Sequence, residues 1–133
     1  MCGIIGYVGK AAAAPILIEG LRRLEYRGYD SSGLAVMDAS QALSIRKRSG
    51  RLANLKALLS ESPVVGGCGI SHTRWATHGE PSDANAHPHL DGSGRLALVH
   101  NGVIENYQTI KGRLEGEGHV FRSQTDSEVL AHL

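Results

Sequence analysis

The sequence predicts a single globular domain that contains both α-helices and β-strands. Its 133 residues are enough for one domain with a usable core. Two hydrophobic periodicities occur along the chain, one typical of buried strands, as in Gly3–Val8, and one typical of amphipathic helices, as in Ala11–Tyr26. Hydrophobic residues make up 41% of the chain and fall in these blocks, which excludes a disordered chain.

In the first half of the chain the two patterns are easily separated. The strands are short apolar runs, and the helices carry apolar residues three or four positions apart. The first helix contains Pro15, which is tolerated because it lies near the first turn. A turn near Asp38-Ala39-Ser40 joins the second and third strands. The expected elements are strand Gly3–Val8, helix Ala11–Tyr26, strands Gly33–Met37 and Leu43–Lys47, helix Arg51–Ser60 and strand Gly69–Thr73.

The second half begins with a long loop, Thr77–Gly94, which contains two prolines and several histidines. Loops of this length in a compact domain are usually functional. A strand, a helix with four apolar residues on one face, a short strand and a final helix are expected to follow. These are Leu96–His100, the segment carrying Val103, Tyr107, Ile110 and Leu114, Val120-Phe121, and the residues from Asp126 onward. The last helix has no cap before Leu133, so we expect the domain to be incomplete at this end.

Charge and composition exclude several classes of protein. Fourteen basic and 13 acidic residues give a net charge of +1, which provides no electrostatic basis for binding nucleic acid or an anionic membrane. The longest nearly apolar run, Ala11–Ile18, is much shorter than the ~20 residues of a membrane span, and no secretory signal is visible. Two cysteines, Cys2 and Cys68, do not make a disulfide framework, so we expect a cytoplasmic protein.

The dipeptide Met1-Cys2 has a chemical interpretation and a structural one. Removal of Met1 would leave Cys2 with a free α-amine beside its own thiol. Because an α-amine titrates near neutral pH, nucleophile and general base would then belong to one residue. The structural interpretation is a small hydrophobic residue at the start of a strand, since free cysteine is often buried.

Six blocks of sequence resemble class II glutamine amidotransferases, and in particular the glutaminase domain of the glucosamine-6-phosphate synthase family. They occur in the family's order and extend over nearly the whole chain. The blocks are Cys2–Tyr7, Tyr26–Gly33, Ser71–Gly79, His87–His89, Val99–Gly102 and Thr125–Glu128. The resemblance implies an α+β fold, as part of the four-layer αββα sandwich of N-terminal nucleophile hydrolases, with mainly antiparallel sheets.

The resemblance also implies an activity. Family members hydrolyse L-glutamine to glutamate and ammonia through a thioester on the N-terminal cysteine, without a cofactor or a metal. In the full-length enzymes, which we expect to be homo-oligomers, ammonia passes to fructose 6-phosphate and gives glucosamine 6-phosphate. The sugar-isomerase domains that bind fructose 6-phosphate are absent from residues 1–133, which correspond to an incomplete glutaminase domain.

Four residues are expected to be catalytic. The resemblance makes Cys2 the nucleophile. Asn101 and Gly102 can form an oxyanion hole from a side-chain and a backbone N–H, and a helix pattern after them weakens the alternative of a hairpin turn. Capping of the following helix by Asn101 is compatible with this role. Arg27 is a candidate for holding the region around Cys2 in place.

Substrate binding is expected to involve four more residues. Arg74 can hold the α-carboxylate of glutamine through a bidentate fork, although an isolated arginine is more often a surface residue. Asp126 can pair with the α-ammonium, while Thr125 and Glu128 fit a capping box beside it. The resemblance places Thr77 and His78 in the glutamine pocket.

Trp75 matches a family tryptophan near the route that ammonia takes. The alternative is that Trp75 is a structural residue of the hydrophobic core.

Two further interpretations concern the chain as a whole. Clustered histidines suggest a metal site, but the helical H-x-x-x-H and Cys-x-x-Cys spacings are missing, so we expect none. The chain could also be an inactive or assembly-prone fragment that keeps the motifs without a complete fold, because incomplete sheets have open edges.

Overall fold

A computed structural model describes residues 1–133, and a four-stranded antiparallel sheet lies at its centre. Because side chains alternate along a strand, the pairing of the strands decides which residues share a face of this sheet, called sheet A. The strands lie in the order β1-β4-β2-β3, so the first strand pairs with the fourth rather than with its neighbour in sequence. The strands are β1 Gly3–Val8, β2 Ser31–Met37, β3 Leu43–Ser49 and β4 Cys68–Arg74.

Two helices, α1 (Ala13–Leu24) and α2 (Leu52–Glu61), cover one face of sheet A. A short 3-10 turn, Glu25–Arg27, extends α1. The apolar side of each helix packs on the sheet, as its periodicity requires. The resulting core consists of fully or nearly fully buried side chains, which are Ala13, Leu17, Leu21, Leu34, Val36, Leu52 and Leu55.

A second layer lies against the opposite face of sheet A. It contains the two-stranded sheet B, formed by β5 (His89–Leu90) and β6 (Ala97–Leu98), and sheet B packs in turn on α4 (Glu128–His132). Helix α3 (Tyr107–Gly116) packs beside α4. At Gly33 of β2 the backbone lies so close to the carbonyl oxygen of His87 that a Cβ would clash with it. The layers therefore follow one another as helix, sheet, sheet and helix, and the predicted α+β class is confirmed.

The two faces of β4 have different roles. Thr73 points toward α1, where it would contact a Cβ on Gly3, and Ser71 shares that side by alternation. His72 and Arg74 point to the other face, toward the second layer. Strand β4 thus supplies two buried polar side chains to the space between the layers.

Several boundaries differ from the sequence prediction. The strand expected at Leu96–His100 is only Ala97–Leu98, and Val120-Phe121 forms no strand, because neither segment finds a partner long enough to pair with. The helix expected from Val103 begins at Tyr107, and the first helix ends at Leu24. None of the helices has both the length and the apolar character needed to cross a bilayer.

Candidate active site

The nine residues that the sequence singles out line one cavity. Its volume of about 570 Å³ lies within the range of roughly 300–1,000 Å³ that is usual for small-molecule sites. The nine are Cys2, Arg27, Arg74, Trp75, Thr77, His78, Asn101, Gly102 and Asp126. They come from the start of β1, the 3-10 turn after α1, the end of β4 and three later loops, so the cavity forms only when both layers are assembled.

Cys2 lies just before β1, half-buried at the cavity wall. Its position follows from the pairing of β1 with β4, which places Gly3 opposite Thr73 and Cys2 beside the end of β4. The backbone N–H of Trp75 donates to the sulfur of Cys2 at 3.1 Å. The Cys2 sulfur also lies 3.6 Å from the carbonyl oxygen of Trp75, so the backbone of one residue holds the thiol from two sides.

Asn101 and Gly102 lie in the segment between β6 and α3. The side-chain Nδ2 of Asn101 donates to the backbone carbonyl of Cys2 at 3.2 Å, which places the carboxamide beside the nucleophile. Gly102 has a φ of 149°, and a Cβ there would lie 3.0 Å from Nε2 of His100. Glycine is therefore favoured both by the backbone conformation and by the lack of space.

Arg74 ends β4 and is 3% exposed. Its guanidinium donates to three backbone carbonyls of the following loop, those of His78, Gly79 (2.9 Å) and Glu80 (3.2 Å). Burial lowers the pKa of the Arg74 guanidinium, and the carboxylate of Asp30, 3.9 Å away, opposes that shift. The three carbonyls take both Nη2 hydrogens and one on Nη1, so a bound carboxylate uses the remaining N–H groups or displaces a carbonyl.

Asp126 is 3% exposed and faces the same cavity. One carboxylate oxygen accepts from the backbone N–H of Ile104 at 2.6 Å, and the other lies 3.8 Å from Nδ1 of His78. His78 in turn contacts the hydroxyl of Thr77 at 3.2 Å. Asp126 thus brings a negative charge to the wall of the cavity that His78 and Thr77 share.

The expected capping box at Thr125 and Glu128 does not form. Helix α4 has no side-chain cap, and Glu128 accepts hydrogen bonds from the backbone N–H groups of Arg122 and Ser123. Burial alone raises the pKa of the Glu128 carboxyl, but these bonds and one from the Ser123 hydroxyl outweigh it and lower the pKa. Glu128 therefore fixes the segment before the helix rather than its first turn.

Arg27 and Trp75 also line the cavity. Nη2 of Arg27 lies 3.7 Å from the sulfur of Met1, and its buried Nε has no hydrogen-bond partner. Trp75 is 53% exposed and meets the ring of Tyr29 edge-on, with 6.3 Å between the centroids. The alternative that Trp75 is a core residue is wrong, because half of its surface is free.

From the sequence, the clustered histidines are considered only as a metal site, and the structure places three of them in a buried row beside the cavity, where His87 lines its wall. His72, His87 and His89, called the histidine stack, lie with ring centroids 4.2 and 4.5 Å apart. Burial lowers the pKa of His72 to about 4 and that of His89 to about 3, and it lowers the pKa of His87 as well. The sequence does contain a signal for His72. It precedes Arg74 by two positions on one strand, and side chains two positions apart lie on the same face of a sheet. No group of three or more His, Cys, Asp or Glu residues is placed to hold a metal ion.

This combination suits one class of enzyme. A thiol beside an asparagine–glycine pair can attack an amide carbon, while an arginine and an aspartate on the wall of the same cavity match the two charges of an amino acid. The sequence model of the glutamine amidotransferase domain matches residues 56–133. This chain belongs to the glutamine amidotransferase domain family.

Related sequences agree with this family assignment. The chain is 59% identical over 136 residues to the glutamine–fructose-6-phosphate aminotransferase (isomerizing) of Chlorobaculum tepidum, and 58% identical over 133 residues to that of Thermus thermophilus. Both matches cover 100% of this chain. The chain extends over 22% of the length of each relative, so the relatives contain much that these residues do not.

Solved structures agree with this family assignment as well. The glutamine phosphoribosylpyrophosphate amidotransferase of B. subtilis superposes with a TM-score of 0.82 at 32% identity. A structure described as the allosteric regulatory enzyme of purine biosynthesis gives 0.84 at 33%. Each match covers 100% of this chain and 29% of the other. These likenesses confirm the amidotransferase fold that the sequence blocks predict.

Proposed function

We propose that this chain hydrolyses L-glutamine to glutamate and ammonia, with Cys2 as the nucleophile. The observation that carries the proposal is the convergence of Cys2, Asn101, Arg74 and Asp126 on one cavity. In the pose we propose, Arg74 takes the α-carboxylate and Asp126 the α-ammonium, and the side-chain amide extends toward Cys2. Thr77 and His78 complete the wall around the substrate.

The reaction proceeds in two halves. The sulfur of Cys2 bonds to the amide carbon of glutamine, and the carbonyl electron pair moves to the oxygen, which Asn101 Nδ2 and the Gly102 N–H stabilise. The thiol proton passes to the α-amine of Cys2 and from there to the leaving nitrogen, so that the C–N bond breaks and ammonia leaves. Water then adds to the thioester and gives a proton to the same amine, and cleavage of the C–S bond releases glutamate and restores the thiol.

Removal of Met1 is required for this chemistry. While Met1 is attached, the nitrogen of Cys2 is an amide and cannot accept a proton. Met1 also lines the cavity, and its sulfur lies next to Arg27. Its removal exposes the α-amine and leaves the Arg27 guanidinium facing the first residue, where we propose that it helps to hold Cys2.

For the whole protein we propose the activity after which its relatives are named, the transfer of ammonia from glutamine to fructose 6-phosphate. Residues 1–133 would be part of the glutaminase domain, and sugar-isomerase domains of a longer chain would bind fructose 6-phosphate. Trp75 is our candidate for the route of ammonia, because it lines the cavity and half of its surface is exposed. No cofactor enters this scheme.

The alternative is that the chain is inactive alone or assembles with other chains. Strand β1 is an edge of sheet A, and its residue Val8 is 80% exposed. An open edge with apolar residues is a site for pairing between chains. Light scattering reports whether the chain assembles, and glutamate formation reports whether it is active. A monomeric chain with glutaminase activity contradicts both alternatives.

The two cysteines provide a matched test. Cys2→Ala removes the nucleophile and should abolish glutamate formation, and it should also abolish labelling by a diazoketone analogue of glutamine. Cys68→Ala, at the other end of sheet A, should leave both largely intact, since Cys68 does not line the cavity. Intact mass of the labelled protein reports the presence of Met1 in the same spectrum. Equal loss in the two variants, or labelling of a chain that still carries Met1, contradicts the proposal.

A further inference from the structure

The carboxamide of Asn101 is held from two sides. On one side, Nδ2 donates to the carbonyl oxygen of Cys2 at 3.2 Å. On the other side, Oδ1 lies 2.8 Å from Nε2 of His72, across 29 positions of sequence. A carbonyl oxygen only accepts, so the nitrogen of the carboxamide must face Cys2 and its oxygen must face His72.

This arrangement determines the protonation of His72. Since Oδ1 of Asn101 accepts, Nε2 of His72 must carry a hydrogen. The opposite ring nitrogen, Nδ1, is buried and has no hydrogen-bond partner. An unpartnered buried nitrogen is less costly as a bare acceptor than as a charged N–H donor, so the ring is neutral. Burial also lowers the pKa of His72 to about 4, which agrees with a neutral ring at physiological pH.

The position of His72 is fixed by its surroundings. Its side chain is 0% exposed and projects from the middle of sheet A, where β4 pairs on both sides. Its ring lies parallel to that of His87, with 4.2 Å between the centroids and 16° between the planes. His87 is anchored in turn by the backbone N–H of His100, which approaches its Nδ1 at 3.4 Å. His72 is thus a rigid donor, whereas Asn101 lies in a segment outside any helix or strand.

We propose that His72 is a positioning residue for the oxyanion hole, which holds the carboxamide of Asn101 with its nitrogen toward the nucleophile. This inference rests on the proposed function. One Nδ2 hydrogen serves the Cys2 carbonyl, and the second is left for the oxygen of the attacked amide. Without the donor at His72, the carboxamide can turn over and present Oδ1, which repels an oxyanion. His72 does not touch the substrate and acts only through Asn101.

The expected effect falls on kcat rather than on KM. An oxyanion-hole donor acts in the transition state, and removing one costs about 10²–10³ in kcat. His72→Phe leaves Asn101 in place but lets its carboxamide turn, so the Nδ2 donor is misplaced rather than removed. We therefore expect kcat for glutamine hydrolysis to fall about 10- to 100-fold. The KM for glutamine should change less than about threefold, because uniform binding is not affected.

Three variants separate positioning from packing. His72→Phe keeps a flat ring of similar size in the stack but has no donor. His72→Gln loses the ring, yet its amide N–H reaches about as far as Nε2, so it should restore kcat to within about tenfold of the parent protein. If His72 acted only through packing, Gln would be the more harmful replacement. His119→Phe changes a histidine outside the cavity and should leave kcat unchanged.

A measurement without turnover tests the same contact. In ¹⁵N NMR spectra of the parent protein, His72 should show a protonated Nε2 and a bare Nδ1 at neutral pH. A proton on Nδ1, or a charged ring, overturns the inference even if the histidine variants do not fold. A parent protein that hydrolyses glutamine while His72→Phe matches its kcat overturns the inference alone. A parent protein with neither turnover nor labelling of Cys2 overturns the proposed function, and the inference with it.

Discussion

Replacement of Asp126 by asparagine tests the proposed pose of glutamine most directly. The carboxylate is almost fully buried, with one oxygen bonded to the backbone N–H of Ile104 at 2.6 Å. An asparagine Oδ1 can accept the same hydrogen bond, so Asp126→Asn removes the charge while it keeps the local structure. In the variant the α-ammonium of glutamine has no opposing charge, while the Arg74 guanidinium, which Asp126 also stabilises, keeps the carboxylate of Asp30.

The size of the effect follows from the nature of the lost contact. A hydrogen bond to a charged group contributes about 1.5–3 kcal/mol, which corresponds to about 10- to 150-fold in affinity. Because the α-ammonium is remote from the reacting amide, the loss is the same in the ground state and in the transition state. KM for glutamine should therefore rise about 10- to 150-fold, while kcat stays within about threefold.

The assay uses two substrates, glutamine and its analogue that lacks the α-amino group, with glutamate or glutarate formation as the readout. The parent protein should prefer glutamine, and Asp126→Asn should lose that preference because it no longer recognises the amine. Glu115→Gln, which removes an exposed carboxylate on α3, is the matched control and should behave as the parent protein does. An equal loss of kcat/KM on both substrates would refute the reasoning, since it would mean that Asp126 supports the fold and not the ammonium.

Two further predictions concern stability. The unfolded chain protonates histidines that the folded chain keeps neutral, so the free energy of unfolding rises with pH. Folding lowers the pKa of His72 from 6.5 to about 4. Its contribution to stability is therefore complete above pH 6.5 and is lost as the pH falls from 6.5 to about 4. Urea unfolding should show a loss on the order of 2 kcal/mol for each of the three buried histidines between about pH 7 and about pH 4.5. His72→Phe removes one of these contributions and should have a shallower dependence, whereas a flat profile in the parent protein contradicts the neutral stack. Leu17→Ala leaves a cavity between α1 and sheet A and should lower the free energy of unfolding by about 2–5 kcal/mol, as measured in urea, while Ile16→Ala on the 37%-exposed side should cost much less. Similar losses for the two would contradict the assigned core.

Local patterns were sufficient to predict most of the elements, because a helix or a buried strand leaves its period in a single stretch of sequence. Helix α1 and strand β2 carry such periods, and both form close to where they are expected. Strand β6 was overestimated because the length of a strand depends on its partner, and β5 offers only two residues. The hydrophobic pattern of one strand cannot predict that length, because it is set by a segment elsewhere in the chain.

The site was predictable to the extent that its chemistry is local. The dipeptide Asn101-Gly102 and the residue Arg74 could be predicted as candidates for an oxyanion hole and a carboxylate binder from their residue types and from the resemblance, and all three line the cavity. Their mutual arrangement could not, because the contact of Asn101 with His72 links positions 29 residues apart and arises only when the layers pack. The failed capping box at Thr125 has the same origin, since the Thr125 hydroxyl lies 2.8 Å from Nε2 of His89 in sheet B instead of serving the helix.

The register between β1 and β4 connects these observations. It sets Gly3 opposite Thr73, and thereby places Cys2 next to the N–H of Trp75 with Arg74 on the cavity side of β4. A slip of β4 by one residue against both β1 and β2 would exchange its faces and direct Arg74 toward the apolar helices, away from the three carbonyls that its guanidinium now contacts. The cost of burying that charge without partners is far larger than the cost of any single apolar contact. Arg74, which we assign to substrate binding, therefore also enforces the strand pairing that brings the nucleophile to the cavity.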